Sequence, residues 1–226
     1  MDDAAHDRRS IRLPAYDYSW PGAYFVTICT GGRRCCLAAV HGRQSLPSEA
    51  GRLVRETWDS LPARWPEVDV DACAVMPNHV HGIVVIQARV SLESGAAVLP
   101  PGGARGEPAA SGSGPFPCDA ERRAWGGQNL SGIVRAFKAA STRLIREGGL
   151  PDFAWQRNFY EHIVRSEAAL TRIRRYVLDN PQMWGFDVEN PGMPVGAHGR
   201  IRQVLAHRYG FDEDEVAAAM GTDRAQ

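Results

Sequence analysis

Lysine is nearly missing from this sequence. Lys138 is the only one, so 25 of the 26 basic residues are arginine. In a chain this rich in alanine and glycine the bias reads as coding preference, yet it isolates Lys138 as a residue to test. Net charge is missing too: it is zero over 226 residues, which excludes a polyanion binder that works through bulk charge and shifts attention to where the charge sits. There is no Cys-x-x-Cys. The five cysteines (Cys29, Cys35, Cys36, Cys73 and Cys118) are odd in number, and two are adjacent. Neither a disulfide framework nor a zinc knuckle fits them, and a reducing cytoplasm is the expected setting. The longest apolar run is far too short to span a bilayer, so no membrane partner is expected. The start, Met1 to Asp7, is acidic and lacks the apolar core of a signal peptide.

What is present suits one globular domain with additions. Hydrophobic residues make up 44% of the chain, enough for a core. Residues 1–22 read as an arm with a basic cluster, Arg8-Arg9-Ser10-Ile11-Arg12. Tyr24 to Thr30 is β-branched and aromatic and reads as a strand ended by Gly31-Gly32. Ser48 caps a helix running to about Ser60, and Pro62 and Pro66 close that region. Val68–Val75 and His79–Gln87 alternate as two strands joined near Pro77-Asn78. Residues 88–127 are rich in Gly, Pro and Ala and read as a flexible insertion. Leu130 to Glu147 carries an apolar helical stripe of Ile133, Phe137, Ala140, Leu144 and Ile145. A short strand from Phe159 to Arg165 follows. Glu167–Leu178 is a further helix, broken at Asn180-Pro181. Residues 188–226 form a tail with a late helical pattern, and its composition assigns it no role. The order strand, helix, strand, strand, helix, strand predicts an α+β fold: a ferredoxin-like plait with an antiparallel sheet and both helices on one face. The seventh element is an additional C-terminal helix.

Chemistry concentrates in a few places. His79 and His81 stand at i and i+2 on a strand, so both imidazoles face one way. That is a natural pair of metal ligands. Tyr176 and Asn180 stand at i and i+4 on a helix and share a face. The phenol is a candidate nucleophile, and the amide oxygen a candidate third ligand. Tyr160 is a rival nucleophile with His162 on its face, and Glu161 and His162 are candidates for orienting groups around the site. From Ser131 to Tyr176 nine basic residues face four acidic ones, which marks a candidate nucleic-acid surface. Arg135, Lys138, Arg143, Arg172 and Arg175 are its candidate phosphate contacts. Trp155, like Tyr18 and Trp20, is a candidate platform for an unpaired base.

Three segments together resemble one family. Met76-Pro77-Asn78-His79-Val80-His81 resembles the signature of two histidines around a bulky apolar residue. Trp155 to Arg165 (WQRNFYEHIVR) and Arg175 to Pro181 (RYVLDNP) follow in matching order. The combination, over about residues 16–187, is similar to the REP-associated tyrosine transposases, within the insertion-sequence-200-like single-tyrosine transposases. The resemblance implies that Tyr176 is the nucleophile, that His79 and His81 bind Mg²⁺ or Mn²⁺, and that Asn180 takes the place of a polar third ligand, where some relatives have Gln. It implies single-stranded or hairpin DNA as partner, a 5′-phosphotyrosine intermediate, and a monomer or a homodimer. Two other readings stand beside it: a hairpin-binding module that no longer cuts, and a metal-dependent phosphodiesterase that uses water.

Overall fold

The computed structural model describes residues 16–87, 129–194 and 196–220. The Arg8–Arg12 arm, Cys118 and the whole of the 88–127 insertion lie outside them. The ordered elements begin with β1 (Gly22–Cys29), a small hairpin of β2 (Ala38–His41) and β3 (Gln44–Pro47), and α1 (Glu49–Asp59) with the short α2 (Leu61–Arg64). Then come β4 (Val68–Val75), β5 (His79–Ile86), α3 (Leu130–Glu147), β6 (Tyr160–Val164) and α4 (Glu167–Met183). The described chain closes with α5 (His198–Tyr209) and α6 (Glu213–Ala219).

Four strands form one antiparallel sheet in the order β4-β5-β1-β6. With α1 and α3 in the connections, this is the expected ferredoxin-like plait. Strand alternation sends β1 and β5 side chains to two different cores. Tyr24, Val26, Ile28, Val80 and Val84 face α1 and α3, where Val54, Trp58, Ile133 and Phe137 are buried with them. Gly82 makes that approach possible: a Cβ there would lie 2.3 Å from Cζ2 of Trp58. Phe25 and Ile83 face the other way, onto Leu170, Ile173 and Val177 of α4.

The long helices start where a side chain can satisfy their free backbone N–H groups. Ser48 accepts from Gly51 N at 3.1 Å, Asn129 from Gly132 N at 2.8 Å and Ser166 from Ala169 N at 3.1 Å. Helix α4 does not break at Asn180-Pro181, contrary to expectation. It runs on to Met183, because a proline in the last turn forfeits a single intrahelical bond. The β2–β3 hairpin was not expected either. Its turn residue Gly42 has φ 61°, and its strands are four residues each, too short for alternation to stand out.

Residues 188–220 are more than a tail. Ile201, Leu205, Tyr209, Phe211, Val216 and Met220 are buried in the same core as Phe25, Ile173 and Tyr176. An ion pair fixes them: Arg172 of α4 meets Glu215 at 2.8 Å, with the carboxylate buried. Glu215 also closes a capping box with Asp212 at the start of α6. The helices expected on one face of the plait are therefore joined by three on the other.

Gly82→Ala is expected to destabilise the protein by about 1–3 kcal/mol through overpacking against Trp58. In urea denaturation the penalty should shrink when Gly82→Ala is made in a Trp58→Leu background. Equal penalties in both backgrounds would contradict the contact.

Candidate metal and nucleophile site

β5 begins with His79 and carries His81 two residues on. In the pairing register His79 lies opposite Cys29 and His81 opposite Thr27. The two imidazoles are 0% and 1% exposed, with ring centroids 4.4 Å apart. Each has a partner for its Nδ1: Thr27 Oγ1 lies 2.8 Å from that of His81, and Asn78 Oδ1 3.0 Å from that of His79. Asn78 donates its Nδ2 to the carbonyls of Glu189 (2.7 Å) and Arg33 (3.3 Å). Its Oδ1 can only accept, which assigns the His79 proton to Nδ1 and leaves Nε2 as a free lone pair. Burial pushes the pKa of His79 down to about 3. At neutral pH the ring is therefore neutral, the form that binds metal.

The third member of the cluster was not anticipated. Asp187 follows a 3-10 turn at Trp184–Phe186, and its Oδ2 lies 3.5 Å from Nε2 of His79 and 3.8 Å from that of His81. One ligand atom from each of His79, His81 and Asp187 falls within 4.8 Å of the others. His79 Nε2, Asn180 Oδ1 and Asp187 Oδ2 are all buried without a hydrogen-bond partner. An unpaired buried polar atom costs about 1–3 kcal/mol, so leaving three in one region calls for a ligand. Asn180 and Asp187 also line one cavity of about 10 Å³ with Tyr176. Nitrogen and oxygen lone pairs of this kind suit a small divalent cation. The residues thus fit the metal that the sequence implied, with Asp187 added to the set.

Tyr176 stands against this cluster. Its hydroxyl is 3.4 Å from Nε2 of His81. The side chain is 4% exposed, and its ring packs on Phe25, Tyr209 and Phe211 with centroids 6.0, 5.5 and 5.4 Å away. Burial, reinforced by the charge of Asp187, pushes the phenol pKa well above its ordinary value, although a hydrogen bond from Asn180 acts the other way. In this arrangement the Tyr176 phenol is held beside the cluster in its protonated form.

The structure therefore brings His79, His81, Tyr176 and Asn180 together. Tyr160 pairs with Thr27, which puts it on the same sheet face but one strand further from His81. His162 pairs with Phe25 and shares that face, whereas Glu161 pairs with Val26 and points to the other core. Glu161 is thus removed from the group expected to orient the site, because alternation along β6 carries it away.

The expected DNA contacts divide. Arg135 is exposed on α3. Lys138, Arg143 and Trp155 line a groove of about 700 Å³ with Arg146 and Arg157, beside α3 and thus across the sheet from α4. Lys138 braces the backbone there, donating to the carbonyls of Gln156 and Asn158 at 2.9 Å each, and burial lowers its pKa to about 8. Trp155 donates Nε1 to Ser141 Oγ at 3.0 Å and packs against Phe137 and Phe153. Arg143 pairs with Glu147 at 3.2 Å. On the site's side of the sheet, Arg172 is engaged by Glu215, and the exposed Arg175 lies over the ring of Tyr209.

Two outcomes test the site. Mn²⁺ is expected to raise Tm, by an amount corresponding to about 2.7 kcal/mol at a hundred times Kd. His79→Ala and Asp187→Ala should lose the rise; a rise retained in both would remove these residues from the ligand set. The second concerns acid. A histidine held neutral in the folded state contributes stability that is complete above the unfolded pKa, near 6.5, and is lost as pH falls toward the folded value near 3. Urea denaturation should show roughly 2 kcal/mol more loss from pH 6.5 to 5 in the parent than in His79→Gln.

No protein-family model matches the chain. Among solved structures it is similar to a REP-associated tyrosine transposase bound to a REP hairpin, with 17% identity, a TM-score of 0.46, and coverage of 77% of this chain and 73% of that one. It is also similar to a candidate transposase from Deinococcus radiodurans, with 15% identity, a TM-score of 0.40, and coverage of 76% and 96%. An uncharacterized protein of Haemophilus influenzae is 34% identical over 188 residues, which are 80% of this chain and 92% of that protein. At that identity and coverage, the chain belongs to the family of the Haemophilus influenzae protein.

Proposed function

We propose that the chain is a REP-associated tyrosine transposase that cuts and rejoins single-stranded DNA at hairpin-forming sites. The observation that carries the reading is the Tyr176 hydroxyl 3.4 Å from Nε2 of His81, at the edge of a buried cluster in which His79 Nε2 and Asp187 Oδ2 have no hydrogen-bond partner. His79, His81 and Asp187 would hold a divalent ion, with Asn180 as a further oxygen donor. When bound, such an ion supplies Lewis-acid polarisation of the scissile phosphate.

The residues do the rest. Helix α4 presents the Tyr176 oxygen for in-line attack on phosphorus. A bond forms from that oxygen to phosphorus as the bond to the 3′ oxygen breaks. The phenol loses a proton and the 3′ oxygen gains one, so the products are a 5′-phosphotyrosine and a free 3′-OH. The phosphodiester energy is conserved, and a second 3′-OH reverses the step and joins strands without ATP. Because Tyr209 and Phe211 enclose Tyr176, access for a strand requires α5 and α6 to part from α4. The same burial favours, as second reading, a hairpin-binding module that does not cut.

A labelled hairpin oligonucleotide from beside the gene, incubated with Mn²⁺ or Mg²⁺ and run on a denaturing gel, separates the readings. The expected result is a covalent protein–DNA band that Tyr176→Phe and His79→Ala both lack. Cleavage retained in Tyr176→Phe but lost in His79→Ala would instead indicate a phosphodiesterase using water. Binding with no adduct or cleavage would leave the binding module.

A further inference from the structure

The loop after β1 carries a cation that the site as described does not use. Arg33 is the only non-glycine residue with positive φ among those described, at 54°. A left-handed backbone on a bulky residue is strained by about 1–3 kcal/mol and persists where surrounding bonds over-determine it. Here they do. Arg33 N donates to Thr30 O at 3.0 Å. Asn78 Nδ2 donates to Arg33 O at 3.3 Å, and Thr30 Oγ1 donates to the carbonyls of Arg34 (2.9 Å) and Asn78 (3.0 Å). Asn78 is the residue that also fixes the His79 ring, so the strained turn and the first imidazole share one anchor.

The side chain is anchored at one edge only. Arg33 Nε lies 3.0 Å from Oε2 of Glu189, whose carboxylate is buried, while the Arg33 side chain is 44% exposed. Glu189 is two residues from Asp187, and its N donates to Asp187 Oδ1 at 2.8 Å. A guanidinium has five N–H donors in a planar fork. Glu189 engages one edge, and the guanidinium is joined to the His79–His81–Asp187 cluster through Glu189, whose N–H binds Asp187, while Asn78 joins the Arg33 carbonyl to His79. A planar, oriented, permanently charged donor in that place matches the geometry of a phosphate.

We infer that Arg33 is a phosphate-positioning residue: Glu189 and the left-handed turn aim its guanidinium at a non-bridging oxygen of a DNA phosphodiester held beside the His79–His81–Asp187 cluster. This rests on the reading of the site as one for phosphodiester chemistry.

The test measures binding, so that it stands apart from cutting. A thymidine dinucleotide, which carries one phosphodiester, is titrated calorimetrically in Mn²⁺ into the parent and into Arg33→Ala, Arg33→Lys and the double variant Arg33→Ala/Glu189→Gln. Arg33→Ala should bind roughly tenfold or more weakly than the parent, the order expected for a lost charge-assisted pair, and Arg33→Lys should recover only part. The Mn²⁺-induced rise in Tm should be the same in all four proteins. Arg33→Ala binding as tightly as the parent would overturn the inference, as would a parent that does not bind the dinucleotide. So would full recovery in the double variant, which would mean that Arg33 only neutralises Glu189. Should the Arg33 effect hold while the parent forms no adduct with hairpin DNA, the tyrosine reading fails and the phosphate site stands.

Discussion

Two buried imidazoles on one face of a central strand, with a carboxylate packed against them, set the terms for this molecule. They are buried away from bulk solvent, and the protein orients each by a hydrogen bond behind it. Asn78 does so for His79 and Thr27 for His81, and the backbone N–H of Glu189 does so for Asp187. The bond to Asn78 turns the Nε2 lone pair of His79 inward, beside Oδ2 of Asp187. The outcome is a set of unpaired acceptors that is unfavourable by itself and becomes favourable around a cation.

That constraint divides the sheet. One face is an ordinary apolar core, in which Trp58 lies flat enough on β5 to need glycine at position 82. The other face holds the polar cluster at one end and apolar residues at the other. The apolar end needs cover, which α4, α5 and α6 supply through Ile173, Val177, Ile201 and Leu205. Tyr176 sits at the seam between the two ends, its ring in the apolar part and its hydroxyl at the polar cluster. Its burial and its elevated pKa are two consequences of that one position.

The basic and aromatic residues of the middle segments illustrate a second division. Lys138 and Trp155 carry the composition of a nucleic-acid surface, yet each is tied down, the ammonium by backbone carbonyls and the indole by Ser141 and two phenylalanines. Their bonds hold the stretch from Trp155 to Asn158 against α3, and Thr30 pairs with Trp155 at the foot of β1. That stretch supports the strand that carries Thr27 and leads to Arg33. A cation is recognisable in a sequence, but whether its charge is spent on its own backbone is a property of the packed chain.

Much of the site was legible in the sequence because its logic is local. A strand period of two puts His79 and His81 on one face, and a helix period of 3.6 puts Tyr176 beside Asn180, whatever the rest of the chain does. The alternation of Val68–Val75 and His79–Gln87, the cap at Ser48 and the order of elements are local in the same sense, and they led to the plait. Asp187, Glu189 and Arg33 carry no such period. They are acids and an arginine among 26 of each sign, and only the folded chain brings residues 33, 79 and 187 within reach of one another. The cover over Tyr176 is of the same kind, since it depends on apolar residues of α5 and α6 finding a sheet face that β1 and β5 leave open. Periodicity determines which way a side chain points, and sequence alone supplies it. What it points at depends on contacts between distant segments, and those the tertiary structure decided.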